Sequence, residues 1–334
     1  MRKVLLKIYK LYFTAPLHLG DVRDDYGVSL KTMASDTMYA ALISCLAKMG
    51  KPIPKDGDLG CTISSLFPFY QKDKESEAVM FFPKPLKHAM PESDDAVKER
   101  KKVKKVTWLD AHYFSKVLNG CQLFDDATIG RLDGEYLTSK AIDKDFITSK
   151  VSSRVTAARN GQESATPFYM DRVMFKGYSG LFFIAEGNTE LLDQSLGLLQ
   201  HEGIGTDRNV GNGFFEYEPS TMEIEIPDNA DYAISLSSFV PESNGQLQEM
   251  LGSDEVAFDF QRRGGWITTP PHNTLRKNVI YAFTAASVFR ITCNGVETKG
   301  RVGIDLKPEI NWDERLDHPV WRCGRALFLP FILC

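Results

Sequence analysis

A glycine-rich stretch in the second half of the chain constrains the fold more than any other feature. Four of the eleven residues from Gly203 to Gly213 are glycine, which lets the backbone approach another group closely. The stretch follows an amphipathic segment, residues 188–202, and precedes a strand-like segment, residues 213–218. Phosphate-binding loops of the P-loop and dinucleotide types have the opposite placement, after a strand and before a helix. The stretch therefore indicates either a backbone surface laid against a polyanion or a long turn in which Gly203 ends a helix.

Hydrophobic periodicity predicts the elements that precede this loop. Apolar and charged residues alternate over residues 3–8, which predicts a half-buried strand that continues to Phe13. Residues 35–49 have apolar side chains at helical spacing and are followed by Gly50, which predicts a helix. With a short strand at 79–82, the order up to the loop is strand, helix, strand, long excursion, strand, helix. This order matches the split βαβ arrangement of a ferredoxin-like domain.

The chain after residue 223 has mainly strand-like patterns. The predicted strands lie at residues 232–239, 256–262, 278–290, 303–306 and 326–333. A length of 334 residues also exceeds the usual size of one domain. We therefore predict an α+β protein with a second, mostly β domain.

Residues 84–169 are poorer in apolar side chains and richer in charge, including a lysine-rich run at 98–105. We expect this segment to leave the core, with a short helix at 108–118 and an exposed tip that carries Arg154 and Arg159. Runs of like charge usually form solvated faces, so a solvated surface and a phosphate-binding surface both remain open.

Composition excludes several classes of protein. A formal net charge of −4 argues against a surface that is basic throughout, although a local basic face can coexist with it. The six cysteines form no C-x-x-C pair, so they predict buried thiols in a reducing cytoplasm rather than zinc sites or disulfides. The N-terminus lacks the apolar core of a signal peptide, and the apolar run at 326–334 is too short for a membrane span.

One group of residues would suit catalysis. His18 precedes Asp21, Asp24 and Asp25 in the first loop, so acid–base or metal-assisted RNA cleavage has to be considered. No hydrolase or metalloprotease motif accompanies them. The alternative is a hydrogen-bonded loop histidine beside solvated acids.

A second basic and glycine-rich turn lies at residues 262–266, with Arg276 and Lys277 shortly after it. Guanidinium groups bind phosphate oxygens and stack on bases. The alternative is an intramolecular network of salt bridges.

Six motifs together carry a resemblance to a known family. They are Pro16-Leu17-His18-Leu19-Gly20, residues 35–42 (SDTMYAAL), residues 64–68 (SSLFP), residues 203–214 (GIGTDRNVGNGF), Arg263-Gly264-Gly265-Trp266 and residues 318–324 (HPVWRCG). The chain resembles the RAMP superfamily of CRISPR proteins, and specifically the subunit of type III-A (Csm) effector complexes that caps the 5′ end of the guide RNA.

The resemblance implies two ferredoxin-like (RRM-like) RAMP domains, at residues 1–222 and 223–334, the first with a thumb-like insertion at about 84–170. It implies a cytoplasmic, non-catalytic subunit that binds the 5′ repeat-derived handle of the guide RNA (crRNA) and has no metal or cofactor of its own. Its neighbours would be the large polymerase-like subunit, the backbone RAMP subunit and target RNA near the guide 5′ end, and no membrane.

Carried over position by position, the resemblance assigns RNA binding to His18, Ser35, Gly205, Arg208, Asn209, Gly211 and Gly213, and to Arg154 and Arg159 of the thumb. It assigns Arg262, Arg263 and Lys277 either to the handle or to the large subunit. The chain departs from the family pattern at Thr206 and Asp207, where a second glycine and a basic residue are common. Two rivals remain: a RAMP endoribonuclease that uses His18 and the nearby aspartates on repeat or target RNA, and a module that binds only protein.

Overall fold

The computed structural model describes residues 1–20, 26–87, 100–124, 131–156, 166–269, 271–309 and 316–333. Over these residues the chain is an α+β fold in which strands outnumber helices. No helix of the described ranges is both long and apolar enough to cross a membrane.

The helices and strands are as follows. The helices are α1 (Ser35–Lys48), α2 (Arg100–Lys105), α3 (Ala111–Leu118), α4 (Glu190–Glu202) and α5 (Asn244–Met250), with 3-10 turns at Arg208–Val210 and His272–Thr274. The strands up to α4 are β1 (Arg2–Phe13), β2 (Cys61–Ile63), β3 (Phe67–Tyr70), β4 (Val79–Pro83), β5 (Trp108–Asp110), β6 (Leu132–Asp133), β7 (Tyr136–Leu137), β8 (Ile147–Thr156), β9 (Thr166–Phe175) and β10 (Gly180–Gly187). The later strands are β11 (Phe215–Ile226), β12 (Ala230–Ser235), β13 (Phe260–Arg263), β14 (Ile280–Phe283), β15 (Val288–Cys293), β16 (Glu297–Lys299), β17 (Ile304–Asp305), β18 (Trp321–Arg322) and β19 (Ala326–Phe331).

A large sheet organises the first two thirds of the chain. Its strand order is β11-β1-β10-β3-β4-β5-β7-β6, and β2 also pairs with β10. β1 pairs with β11 along its whole length, from Arg2 opposite Ile226 to Phe13 opposite Phe215. The predicted first strand, the helices α1 and α4 and the strand after the glycine-rich stretch are therefore confirmed.

Both faces of β1 are covered, so the strand is more buried than its alternating pattern predicts. Tyr9 and Leu11 face a core that contains α1 and α4. Leu6 and Ile8 face the opposite core, which includes α3 and β19. Side chains alternate across a strand, and here each set of alternate residues meets its own apolar layer.

The central part of the expected excursion belongs to the core, so that expectation is wrong for residues 103–124 and 131–137. β5 pairs with β4, and the ring of Phe114 on α3 stacks on Phe82 at 4.4 Å. Val103 and Val106 are buried on either side of lysines, and the high charge of this segment hides their spacing in the sequence. The predicted helix at 108–118 begins at Ala111, where the Asp110 side chain accepts a hydrogen bond from the Tyr113 amide at 2.9 Å.

The C-terminal region contains a four-stranded antiparallel sheet in the order β15-β12-β19-β16 and two small two-stranded antiparallel sheets, β13–β14 and β17–β18. The predicted segment 278–290 is two strands, because Ala286 adopts a positive φ of 73° between them. β11 runs across the predicted domain boundary at 222 and ends at Ile226. The division into 1–222 and 223–334 stays a prediction.

Four cysteines, Cys45, Cys61, Cys293 and Cys323, are buried and free. Burial raises the pKa of both the Cys61 and Cys323 thiols to about 12. Cys121 is exposed, so the expectation of buried thiols is wrong at that position.

Candidate nucleic-acid interface

The glycine-rich stretch at residues 203–213, which we call the glycine loop, is hydrogen-bonded to the loop that follows β1. The Thr206 amide donates to the His18 carbonyl at 2.9 Å, and the Gly213 amide donates to the Pro16 carbonyl at 2.8 Å. A Cβ on Gly205 would lie under 3.0 Å from the His18 carbonyl oxygen. The predicted close approach of the backbone is therefore real, but at Gly205 and Gly213 it is made to the protein itself. The alternative that Gly203 ends a helix is also correct, since its amide caps α4.

The tip of the loop faces outward. Arg208, Asn209 and Val210 form the 3-10 turn, and Asn209, Val210 and Gly211 are exposed. Gly211 has a φ of +89° and open space where a side chain would lie. Arg208 Nη1 contacts the Gly203 carbonyl at 3.4 Å, so its guanidinium lies along its own loop rather than projecting freely. Asp207, where the family commonly differs, adopts a left-handed conformation with a φ of 55°.

His18 links this loop to the long β8–β9 hairpin. Its side chain is buried, with 1% exposure, and its Nδ1 lies 2.7 Å from the Asp171 carbonyl. Because a carbonyl only accepts, Nδ1 must carry the proton. The ring stacks on Tyr26 at 5.7 Å. The interpretation of His18 as a hydrogen-bonded loop histidine is confirmed.

The structure describes only some of the other residues predicted for catalysis, metal binding or RNA binding. Asp21, Asp24, Asp25 and Arg159 lie outside the described residues. Within the described ranges, no group of three or more histidine, cysteine or acidic side chains could hold a metal ion.

The hairpin β8–β9 has ten cross-strand pairs, from Ile147 opposite Phe175 to Thr156 opposite Thr166. One face begins in the core with Val173, which is fully buried. Farther out the same face exposes three apolar side chains: Val151 at 53%, Val155 at 61% and Tyr169 at 70%.

The other face of the hairpin is basic. It carries Lys150, Arg154 and Arg172, and Lys150 lies directly opposite Arg172. Arg172 Nη2 donates to the Ser152 hydroxyl at 3.2 Å, while its buried Nε has no hydrogen-bond partner among the described residues. Neither Lys150 nor Arg154 forms an ion pair within those residues. We call Lys150, Arg154 and Arg172 the basic face.

The glycine loop adjoins the basic face. Asn212 Nδ2 lies 3.9 Å from the sulfur of Met170, a buried residue on the same side of the hairpin as Arg172. Leu17, just before His18, bridges to Val173 of β9 through two backbone hydrogen bonds of 2.8 Å. These contacts hold the loop tip and the basic face next to each other.

The sequence missed Lys150 and Arg172. A strand period of two places Lys150 and Arg154 on one face, which was a usable signal. Placing Arg172 beside them requires the pairing register of the hairpin. The Asn160-Gly161 pair between the two strands is a typical turn signal, but its position alone does not fix that register.

A second group of predicted residues lies elsewhere, around Asp36 at the start of α1. The Ser35 hydroxyl accepts from the Ser238 amide at 2.8 Å. Arg263 Nε donates to Asp36 Oδ2 at 3.0 Å, and its Nη2 donates to the Thr37 hydroxyl. Ser35 and Arg263 thus join α1 to the C-terminal region, and the salt-bridge alternative is correct for Arg263. Arg262, on the opposite face of β13, is exposed.

Arg322 and Lys277 complete this second group. Arg322 Nη1 lies 3.0 Å from the Asp36 carbonyl and 3.6 Å from Asp36 Oδ2. Burial, reinforced by the charge of Arg322, lowers the pKa of Lys277 to about 8. Burial also lowers the pKa of Arg322. The sequence contained no local signal for Arg322, because it is 286 residues from Asp36.

Comparison with known proteins finds similarity to one family. Residues 228–331 match the CRISPR Csm4 C-terminal domain. Over 305 residues the chain is 25% identical to Csm4 of Streptococcus thermophilus, with 86% of this chain and 90% of the relative covered. The chain is therefore similar to Csm4, and its C-terminal part matches the Csm4 family.

The likeness to solved structures extends over nearly the whole chain. A chain in the crystal structure of a Csm1-Csm4 cassette in complex with cA4 has a TM-score of 0.57 and 17% identity, with 99% of each chain covered. A chain in the Csm3-Csm4 subcomplex of a type III-A interference complex has a TM-score of 0.57 and 16% identity, with 98% of this chain and 100% of that chain covered. These similarities are similarities of fold.

Proposed function

We propose that this chain is a non-catalytic RNA-binding subunit of a type III-A CRISPR interference complex that acts in antiviral defence in the cytoplasm. It holds the 5′ repeat-derived handle of the crRNA and joins the large polymerase-like subunit to the backbone RAMP subunit. Two ferredoxin-like domains, at 1–222 and 223–334, form its framework, and the insertion at about 84–170 supplies the thumb. The observation that carries the proposal is the pairing of Lys150 with Arg172 on the basic face.

Like charges directly opposite one another destabilise an antiparallel pair. Arg154 adds a third cation to the same face, and the strand positions on that face include no acid: they are Thr148, Ser152, Thr156, Thr166, Phe168, Met170 and Met174. A polyanion removes this repulsion by supplying phosphates between the cations. Four strand residues span roughly 13 Å, so Lys150 and Arg154 can contact different phosphates of one RNA strand.

The remaining surfaces suit single-stranded RNA. Aromatic rings bind splayed bases of any sequence by stacking, and Tyr169 offers a ring on the apolar face of the same hairpin. Beside the hairpin, the exposed loop tip at Asn209 and Gly211 presents backbone with open space in front of it. Recognition would then rest on phosphate contacts and stacking, and RNA affinity should fall steeply with salt.

The partners are proposed from the likeness in fold to chains of Csm1-Csm4 and Csm3-Csm4 assemblies. In this proposal the large subunit and the backbone subunit occupy different sides of this chain, and the handle and the nearby target RNA lie along it. Burial of His18, and the use of its Nδ1 in a hydrogen bond to Asp171, support a structural rather than a catalytic histidine.

The test is recovery of guide RNA. The chain is co-expressed with the other subunits and a guide, purified through a tag on this chain, and the RNA that accompanies it is sequenced. We expect guides with a uniform 5′ repeat tag, and a clear reduction for K150Q/R154Q. The matched control is K140Q/K176Q, which removes two lysines that already pair with Glu77 and Asp143.

Two outcomes would contradict the proposal. If the large subunit co-purifies while guide recovery is the same for both double variants, the hairpin is structural and the chain binds only protein. If the purified chain cleaves repeat or target RNA and H18A or D21A abolishes cleavage, the chain is an endoribonuclease.

A further inference from the structure

The outer edge of β11 is open over most of its length. β11 is the first strand in the order of the large sheet, and its partner strand among the described residues is β1. Near the end of the strand this edge is covered by α3: the Glu225 amide donates to the Ser115 hydroxyl at 3.3 Å, and the Glu225 carbonyl accepts from Asn119 Nδ2 at 3.2 Å. From residue 215 to residue 223, no outward backbone group is hydrogen-bonded to another described residue.

Hydrogen bonds at the two ends of β11 fix which backbone groups point outward. Glu225 directs its amide and its carbonyl away from β1, whereas the Phe214 carbonyl accepts from the Thr14 amide at 3.0 Å, on the side of β1. Because the two sides alternate along an antiparallel strand, the odd-numbered residues of β11 point outward. Pro219 agrees with this assignment, since a proline within a sheet lies on an edge strand with its N–H side facing solvent.

The residues next to the covered end offer a template for another strand. Thr221 and Glu223 each point an amide and a carbonyl outward, and Pro219 adds a carbonyl. All three residues are exposed. Unpaired amides and carbonyls along a sheet edge can pair with an extended segment of another chain. We call residues 219–223 the free edge.

Exposed glutamates select what can pair there. On β11 they are Glu216, Glu218, Glu223 and Glu225. Lys10 pairs with the second at 2.8 Å and Lys3 pairs with the third, while the first and the last form no ion pair within the described residues. An RNA strand or a second copy of β11 would bring more negative charge to this edge, and like charges on neighbouring strands repel. A segment with lysine or arginine side chains would meet opposite charge.

We propose that the free edge binds an extended segment of another protein that is rich in lysine or arginine and adds a strand to the large sheet beside β11. Main-chain hydrogen bonds to Thr221 and Glu223 supply affinity, and the charges of Glu216 and Glu225 supply specificity. Pro219 removes one donor and so limits pairing to a short segment. The site uses no residue of the basic face and no RNA, so it goes beyond the proposed function.

The experiment uses the full chain and a synthetic peptide in which lysine and valine alternate. Hydrogen exchange of the Thr221 and Glu223 amides is followed by NMR. Both amides should exchange rapidly in the free chain, and their exchange should slow by about tenfold when the peptide is present at about ten times its Kd.

Two variants separate the backbone contribution from that of charge. T221P removes one outward amide and should weaken peptide binding by about tenfold, as for loss of one hydrogen bond. E216Q should weaken binding by up to about fivefold, as for loss of one exposed ion pair. The matched control is E135Q, which removes a glutamate already paired with Lys31 near the opposite edge of the same sheet and should not affect binding.

Further peptides keep the result decisive even if T221P does not fold. An N-methylated form of the lysine peptide retains the charge but cannot donate backbone hydrogen bonds, and a peptide of alternating glutamate and valine has the opposite charge. Equal protection of the Thr221 and Glu223 amides by either peptide would overturn the proposal. Amides that are already protected in the free monomer would show that another part of the chain covers the edge. Protection that appears only in a dimer, detected by sedimentation, would identify a second copy as the occupant, and either result would also overturn the proposal.

Discussion

Gly205 and His18 are in such close backbone contact that a Cβ on Gly205 would lie under 3.0 Å from the His18 carbonyl oxygen. Gly205 also has a φ of +88°, which side chains rarely adopt. We therefore expect G205A to reduce the free energy of unfolding by at least about 2 kcal/mol, measured by urea denaturation. The loop tip should lose its position relative to the hairpin at the same time.

G211A is the matched control for that prediction. Gly211 has nearly the same φ, +89°, but open space around it, so only the conformational cost of about 1 kcal/mol applies. Equal losses in the two variants would mean that backbone conformation alone, and not the contact with His18, requires glycine at position 205.

The pairing of Lys150 with Arg172 predicts a conflict between stability and binding. K150Q removes the repulsion between directly opposite like charges, so the free energy of unfolding should rise by roughly 0.2–1 kcal/mol. The same change should weaken RNA binding and flatten the dependence of log affinity on log salt by about 0.7 per lost phosphate contact. Fluorescence-anisotropy titrations at several salt concentrations measure this slope, with K140Q as the control. A variant that is less stable and binds RNA normally would contradict both parts.

The elements with a clear period were predictable from sequence. The helix at Ser35–Lys48 has its apolar residues on one side and ends before Gly50, and the first strand ends at Phe13 as predicted. The burial of the segment around Val103 and Val106 was not predictable, because these valines lie among lysines and the core they enter is built by residues far away in sequence.

The candidate sites divide in the same way. The glycine loop was found from the sequence, because four glycines within eleven residues indicate either a close approach of the backbone or a turn. The partners of Arg263 and Arg172 could not be found from the sequence. Arg263 is 227 residues from Asp36, and Arg172 lies opposite Lys150 only because of the pairing register of the hairpin. The basic residue types indicated phosphate binding both at Arg154 of the hairpin and at Arg263. Only tertiary contacts separated Arg263, which pairs with Asp36, from Arg154, which has no ion pair within the described residues.

Removal of the carboxylate at Asp36 should be among the most damaging single changes in the chain. D36A leaves Arg263 and Arg322 without their buried partner, and breaking a buried pair typically costs about 3–5 kcal/mol. D36N should cost less, because the amide oxygen still accepts from Arg263. Chemical denaturation measures both, with E223Q as a control, since Lys3 and Glu223 form an exposed pair. A D36A midpoint equal to the wild type would show that this cluster does not hold α1 to the C-terminal region.

Lys277 gives the stability of the chain a specific dependence on pH. Its pKa is about 8 in the folded chain against an ordinary value of 10.5, so the unfolded chain binds the proton more tightly. The unfavourable charge is therefore fully present below about pH 8, diminishes between pH 8 and 10.5, and is absent above that range. We expect K277M to be more stable than the wild type at pH 7, and the difference to shrink as pH rises through this window. Denaturation of both chains across this pH range measures it, and a difference that stays constant would mean that Lys277 is not the titrating group.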